Sequence, residues 1–217
     1  MGVANDKAIW QAETEGVELL NLTIGDMFDR VAQAVPDREA VVYDYPELDM
    51  ALRLDYRAFQ AEVNRLAKGV MALGIQAGDK VAVLAPNIPE WLLLEMALAK
   101  AGAVLVTVNT GYRAAELEYL LRNGDIHTLF TVPEYRNNSF IDALHGLLPE
   151  LKQCRDPRRD LLQAEALPCL RRVVLMRAKA PQPGCLPFDD VLAMGDAVGD
   201  GQLHARQAAV KPGDVVQ

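Results

Sequence analysis

The residue types that most often carry chemistry are sparse in this chain, and their spacing forms no reactive constellation. Cys154, Cys169 and Cys185 lie far apart with no Cys-x-x-Cys pair, and His127, His145 and His204 stand near none of them at metal-ligand spacing. The three thiols are therefore read as ordinary reduced cysteines. No G-x-G-x-x-G or G-x-x-x-x-G-K-[ST] run is present to cradle a phosphate, and neither Gly-x-Ser-x-Gly nor His-Glu-x-x-His occurs. Asn21-Leu22-Thr23 and Asn137-Asn138-Ser139 match the glycosylation pattern and are taken as chance matches, since no secretory leader opens the chain. What the residues themselves describe is a binding scaffold.

The elements that would position such a scaffold are clearer. Glu39 to Tyr45 and Met50 to Leu54, joined by Pro-Glu-Leu-Asp, read as a β-hairpin at a sheet edge. Asp55 caps a helix running to about Leu73, because Tyr56, Phe59, Val63, Leu66, Val70 and Leu73 recur at steps of three and four. Lys80 to Leu84 is apolar at nearly every position, as strands buried on both faces are. A helix from Pro89 to about Ala101, stopped by Gly102, then leads to a strand at Val104 to Val108. The pattern repeats with a helix over Ala114–Arg122, a strand over His127–Val132, a helix over Arg136–Leu148 and a strand over Arg172–Met176. Pro149 to Pro168 reads as a surface connection, Lys179 to Pro187 as a loop, and Phe188 to Gly195 as a short helix. This alternation implies an α/β fold, a doubly wound, mainly parallel sheet flanked by helices. Residues 1–22 are expected to be a loosely held leading segment, 23–194 the α/β body, and 195–217 a connection without strong period.

The 217 residues carry 22 Lys+Arg against 30 Asp+Glu, a net charge of −8, with 51% hydrophobic residues. That balance suits a folded domain and argues against nucleic acid or an anionic membrane as partner. Trp91 to Val108 is apolar enough to suggest a membrane span, but Glu95 and Lys100 interrupt it, so it reads as a buried helix entering a buried strand. No transmembrane segment is expected, and a cytoplasmic location is the default.

A doubly wound sheet binds ligands outside the carboxyl ends of its strands. The loops to inspect are Ala85–Glu90, Asn109–Arg113 and Pro133–Asn138. Two runs within this region, GDKVAVLAPNIPEW and KAGAVLVTVNTGYRAAELEYLL, resemble the N-terminal part of the AMP-forming acyl-CoA synthetases of the adenylate-forming superfamily. VNTGYRAAELEYLLRN and FIDALHGLLPEL are most similar to the medium- and long-chain fatty acyl-CoA ligases. Thr110 departs from the pattern, where a Pro is usual after the Asn. The resemblance implies an enzyme that activates a fatty carboxylate with ATP and Mg²⁺ as acyl-AMP and transfers the acyl group to CoA.

In that family a segment like VKPGDVVQ leads into a Ser/Thr/Gly-rich loop that grips the ATP phosphates, and here the chain stops at Gln217. The expectation is a piece of a longer ligase, inactive alone and binding none of these cofactors tightly, with Lys211 and Asp214 orienting the approach to the loop. By position in the family, Gly111 and Arg136 are candidate CoA contacts, Gly for close backbone approach and Arg for a phosphate; the alternative is a turn glycine and a solvated helix start. Trp91 is read as core, and Tyr112 and Glu116 as anchors of the following helix. Two other functions stay open: an aryl-CoA ligase or luciferase-like adenylating enzyme, and a non-catalytic α/β binding module. Apolar surface left by a missing remainder would promote self-association.

Overall fold

The computed structural model describes residues 20–217, so most of the leading segment expected over residues 1–22 lies outside the described residues. Helix α1 (Ile24–Ala34) begins where the Thr23 hydroxyl accepts the Asp26 N–H at 3.0 Å. The hairpin follows as β1 (Glu39–Tyr45) and β2 (Met50–Asp55), closed by a single 3₁₀ turn and a left-handed Asp49. It is not an edge of the main sheet, as the sequence reading expects, but a separate two-stranded sheet, because its base packs on α1 and α2 and neither strand hydrogen-bonds to a strand of the main sheet. Helix α2 (Tyr56–Ala72) starts at Asp55, whose carboxylate accepts the Ala58 N–H at 2.7 Å.

Strands β3 (Lys80–Leu84), β4 (Val104–Thr107), β5 (Ile126–Thr131), β8 (Arg172–Leu175) and β9 (Cys185–Pro187) form one parallel sheet in the order β4-β3-β5-β8-β9. Helix α3 (Pro89–Ala101) links β3 to β4, and α4 (Ala114–Asn123) links β4 back across β3 to β5. The two crossovers run in opposite directions, so the right-handed rule puts α3 and α4 on opposite faces. Accordingly α1, α2, α3, α6 (Phe188–Met194) and α7 (Asp200–Ala208) pack among themselves, while α4 packs with α5 (Phe140–Leu147). The main core centres on Val81, Val83, Leu129, Phe130 and Val174 between these layers. A second, smaller core of Phe28, Val41, Phe59 and Val63 joins the hairpin to α1 and α2.

Four further segments differ from their sequence reading. The helix expected from Arg136 begins only at Phe140, because Glu134–Tyr135 (β6) and Asn138–Ser139 (β7) make a minimal hairpin first. The stretch from Pro149 to Pro168 is not merely a surface connection, since Leu151, Leu162 and Leu167 are buried in the main core. Residues 185–187 pair with β8 as an outer strand where a loop was expected. The polar stretch after Gly195 contains α7, whose one buried apolar residue is Leu203. Among the described residues, no helix is long and apolar enough to cross a membrane.

Candidate functional site

In the strand order β4-β3-β5-β8-β9 the chain reverses direction between β3 and β5, and the loops leaving their carboxyl ends part to open a crevice. A groove of about 720 Å³ lies there. Its walls are Ile88 from the loop after β3, Val132 and Tyr135 from the loop after β5, Ala178 after β8, and Leu48 and Met50 from the hairpin. Trp91, in the first turn of α3, is half-buried against the main core, in keeping with a packing role.

Asn87 and Arg177 line the groove, and each is held by a polar residue beside the start of α3. The Tyr43 hydroxyl donates to Asn87 Oδ1 at 3.1 Å. Arg177 Nε donates to both Glu90 carboxylate oxygens at 2.9 and 2.8 Å, and its Nη1 to the Asp49 carbonyl at 2.9 Å. Burial, reinforced by the Glu90 charge and partly offset by Arg177, pushes the Tyr43 phenol up. Arg177 holds a left-handed φ of 52°, an unusual conformation for a residue with a side chain. Sequence reading missed Tyr43, Glu90 and Arg177, since no local motif joins residues so far apart in the chain.

A helix N-terminus at a switch point is where many α/β folds hold a phosphate, but this one does not fit a triphosphate. Pro89 has no N–H to offer, the Trp91 N–H turns back to the Ile88 carbonyl at 3.1 Å, and Glu90 already places a carboxylate in the first turn. Among the described residues no three His, Cys, Asp or Glu side chains gather to hold a metal ion.

The residues singled out for CoA lie on the neighbouring loops. The Gly111 N–H donates to Asn109 Oδ1 at 2.8 Å, and Tyr112 N–H to the Asn109 carbonyl at 3.0 Å, forming a tight turn after β4. Arg136 is not a helix start: it is exposed at the turn between β6 and β7 with φ 54°, its guanidinium 5.1 Å from the centre of the Tyr135 ring. One buried side chain joins the two loops. Asn138 Nδ2 donates to the carbonyls of Thr110 at 3.1 Å and Tyr112 at 2.8 Å, while its Oδ1 accepts from Arg113 Nη1 at 2.9 Å. The loops carrying Gly111 and Arg136 are thus one unit, and Asn138, noticed only as part of a chance glycosylation pattern, is its centre. Glu116 accepts the Arg113 N–H at 2.8 Å and Tyr112 packs on the core, both anchoring α4.

The C-terminal residues approach the same edge of the sheet. Val210 lies beside Gly102, and the Leu105 N–H donates to the Val216 carbonyl at 2.9 Å. Residues 210–216 therefore run alongside β4 in the same direction, towards the carboxyl ends of the strands.

A doubly wound α/β domain with a switch-point groove defines a ligand-binding scaffold, and comparison with known proteins gives its kind. Residues 28–216 match the AMP-binding enzyme family, and the chain belongs to it. It is 38% identical over 199 residues to "Putative acyl-CoA synthetase YngI" of Bacillus subtilis (strain 168), covering 92% of this chain and 35% of that protein. It is 35% identical over 177 residues to "Medium-chain acyl-CoA ligase ACSF2, mitochondrial" of Mus musculus, covering 82% of this chain and 27% of the relative. A crystal structure described as a "putative long-chain-fatty-acid CoA ligase" from Rhodopseudomonas palustris CGA009 superposes with a TM-score of 0.61 at 28% identity, over 79% of this chain and 36% of that one. These relatives are named acyl-CoA synthetases and ligases, and the chain spans about a third of their length.

Proposed function

We propose that these residues form the N-terminal α/β subdomain of an AMP-forming fatty acyl-CoA ligase acting on a medium- or long-chain carboxylate. The observation that carries this reading is the match of residues 28–216 to the family across the very loops that build the crevice. The full reaction joins a carboxylate to AMP from ATP with Mg²⁺, then to CoA. The first turn of α3 does not fit a triphosphate, and among the described residues no cluster of His, Cys, Asp or Glu gathers for a metal ion, so no step of that activation is assigned to them and the 217 residues alone are expected to be inactive.

Their role is in shaping and positioning. Residues 210–216, laid along β4, deliver the chain that follows to the carboxyl edge of the sheet. Asn138 and Arg113 hold the turn of Gly111 against the β6–β7 hairpin, where Arg136 offers an exposed guanidinium to a phosphate of CoA. Gly111 leaves room for a ligand to pass close to the backbone. The enzyme works in the cytoplasm, and the chain alone self-associates through Tyr45 and Leu48, which are 53% and 59% exposed at the groove rim.

The test is kinetic, in the ligase-length protein. Arg136→Ala is expected to raise the KM for CoA about tenfold, the loss of about one charge-assisted hydrogen bond. Carboxylate-dependent ATP–pyrophosphate exchange, which needs no CoA, stays at the parent rate. An unchanged KM for CoA contradicts the assignment of Arg136, and failure of the parent to activate any fatty carboxylate contradicts the function itself.

A further inference from the structure

We propose that the β1–β2 hairpin is a hinged wall of the switch-point groove, held shut at its tip by Arg177. Its two ends are attached in different ways. At the base, Val41 and Leu54 pair across the strands and pack with Phe28, Phe59 and Val63 of α1 and α2. The backbone is closed there as well, with Tyr56 N–H donating to the Arg38 carbonyl at 2.9 Å and Arg57 N–H to the Pro36 carbonyl at 3.0 Å. Towards the tip, Tyr45 and Leu48 are more than half exposed, Met50 is only partly buried against the main core, and neither strand pairs with any other strand among the described residues. An isolated two-stranded ribbon has little stability of its own, so the tip depends on what holds it.

Two side-chain hydrogen bonds tie the outer hairpin to the body. One runs from Tyr43 to Asn87, and the other from Arg177 to the backbone carbonyl of Asp49 at the turn. The second has the features of a latch. Glu90 grips Nε of Arg177 with both carboxylate oxygens and so aims Nη1 at the turn. Both partners of the Asp49 contact sit in the left-handed region, Asp49 at φ 54° and Arg177 at φ 52°. A side-chain-bearing residue held in that region stores strain that the surrounding contacts must offset. One guanidinium therefore gathers three segments: the hairpin tip, the first turn of α3 and the end of β8. Releasing it lets the tip swing about its apolar base and widens the groove between Leu48 and Val132, admitting an apolar ligand.

Hydrogen exchange on the 217-residue chain, diluted until sedimentation shows it monomeric, tests this. Arg177→Gly removes the latch and also the left-handed penalty, so it does not weaken the fold through the backbone. The amides of Asp44–Ala51 are expected to exchange at least tenfold faster, with those of Val81–Leu84 in β3 unchanged. Arg177→Lys, which keeps the charge but loses the fork, gives the same local acceleration. Unchanged protection at the tip in both variants overturns the proposal, and so does a loss spread equally over the tip and β3.

Discussion

Lys100 is the most deeply buried charge among the described residues, its side chain 2% exposed in the last turn of α3. Its ammonium donates to Asp29 Oδ1 and Asn64 Oδ1, each at 2.6 Å, and stands 5.8 Å from the centre of the Phe28 ring. Gln207 of α7 donates in turn to Asp26 at 2.8 Å and Asp29 at 2.9 Å, so one polar cluster fastens α1, α2, α3 and α7. Lys100→Met keeps the stem but leaves Asp29 without its cation, and is expected to cost about 3 kcal/mol in urea unfolding. Burial drives the Asp29 carboxyl up, but the bonds from Lys100, Gln207 and Gln60 outweigh it and hold the group below its ordinary value of 3.8. With the folded value below the unfolded one, the contribution of Asp29 is complete above the ordinary aspartate range and is lost as pH falls through the folded value. The urea midpoint of the parent should therefore decline on acidification below about pH 4, with a shallower decline in Lys100→Met. The thiols differ just as sharply. Burial, with Cys154 nearby, pushes Cys185 up to about 12, whereas Cys169 is exposed. In the native state iodoacetamide should alkylate Cys169 and spare Cys185 until the chain unfolds, as peptide mass mapping would show.

Elements with a strong internal period were legible, and those held by distant partners were not. The apolar steps of α2 and the continuous apolar run of β3 reproduce the observed Tyr56–Ala72 and Lys80–Leu84 closely, because burial on one stripe or on both faces is written into local composition. Helix α7 has no such stripe. It is secured by the burial of Leu203, by the Gln207 bonds and by Lys68 reaching Asp200 at 2.5 Å, and the hydrogen bonds span more than a hundred residues of chain. The short strand β9 exists only because β8 offers an edge, and Pro187 within it gives no local strand signal. The helical pattern from Arg136 does not start α5, because Arg136 and Asn137 sit in a turn fixed by Asn138 and the loop after β4. The contact of α2 with α6 was equally invisible. A Cβ on Gly69 would collide with the Val191 carbonyl oxygen, so Gly69→Ala forces the helices apart. The expected cost is about 1–3 kcal/mol despite the better helix propensity of alanine, read from the thermal midpoint with the far-ultraviolet circular dichroism retained.

For the molecule as a whole, alternating strands and helices disclosed the sheet and the region of the ligand loops, while the groove depends on features that only folding assembles. The wall from the hairpin, the guanidinium of Arg177 and the junction at Asn138 each bring together segments from separate parts of the chain. What they assemble is an apolar crevice whose helix N-terminus is closed to phosphate by Pro89 and Glu90. On the proposed function, activation of a carboxylate by ATP draws its phosphate ligands from outside the described residues of this chain. The direct measurement is carboxylate-dependent ATP–pyrophosphate exchange, performed on the 217-residue chain and on the same residues joined to the remainder of the ligase. Exchange confined to the longer protein is the predicted result; exchange above background by the 217 residues alone would contradict it.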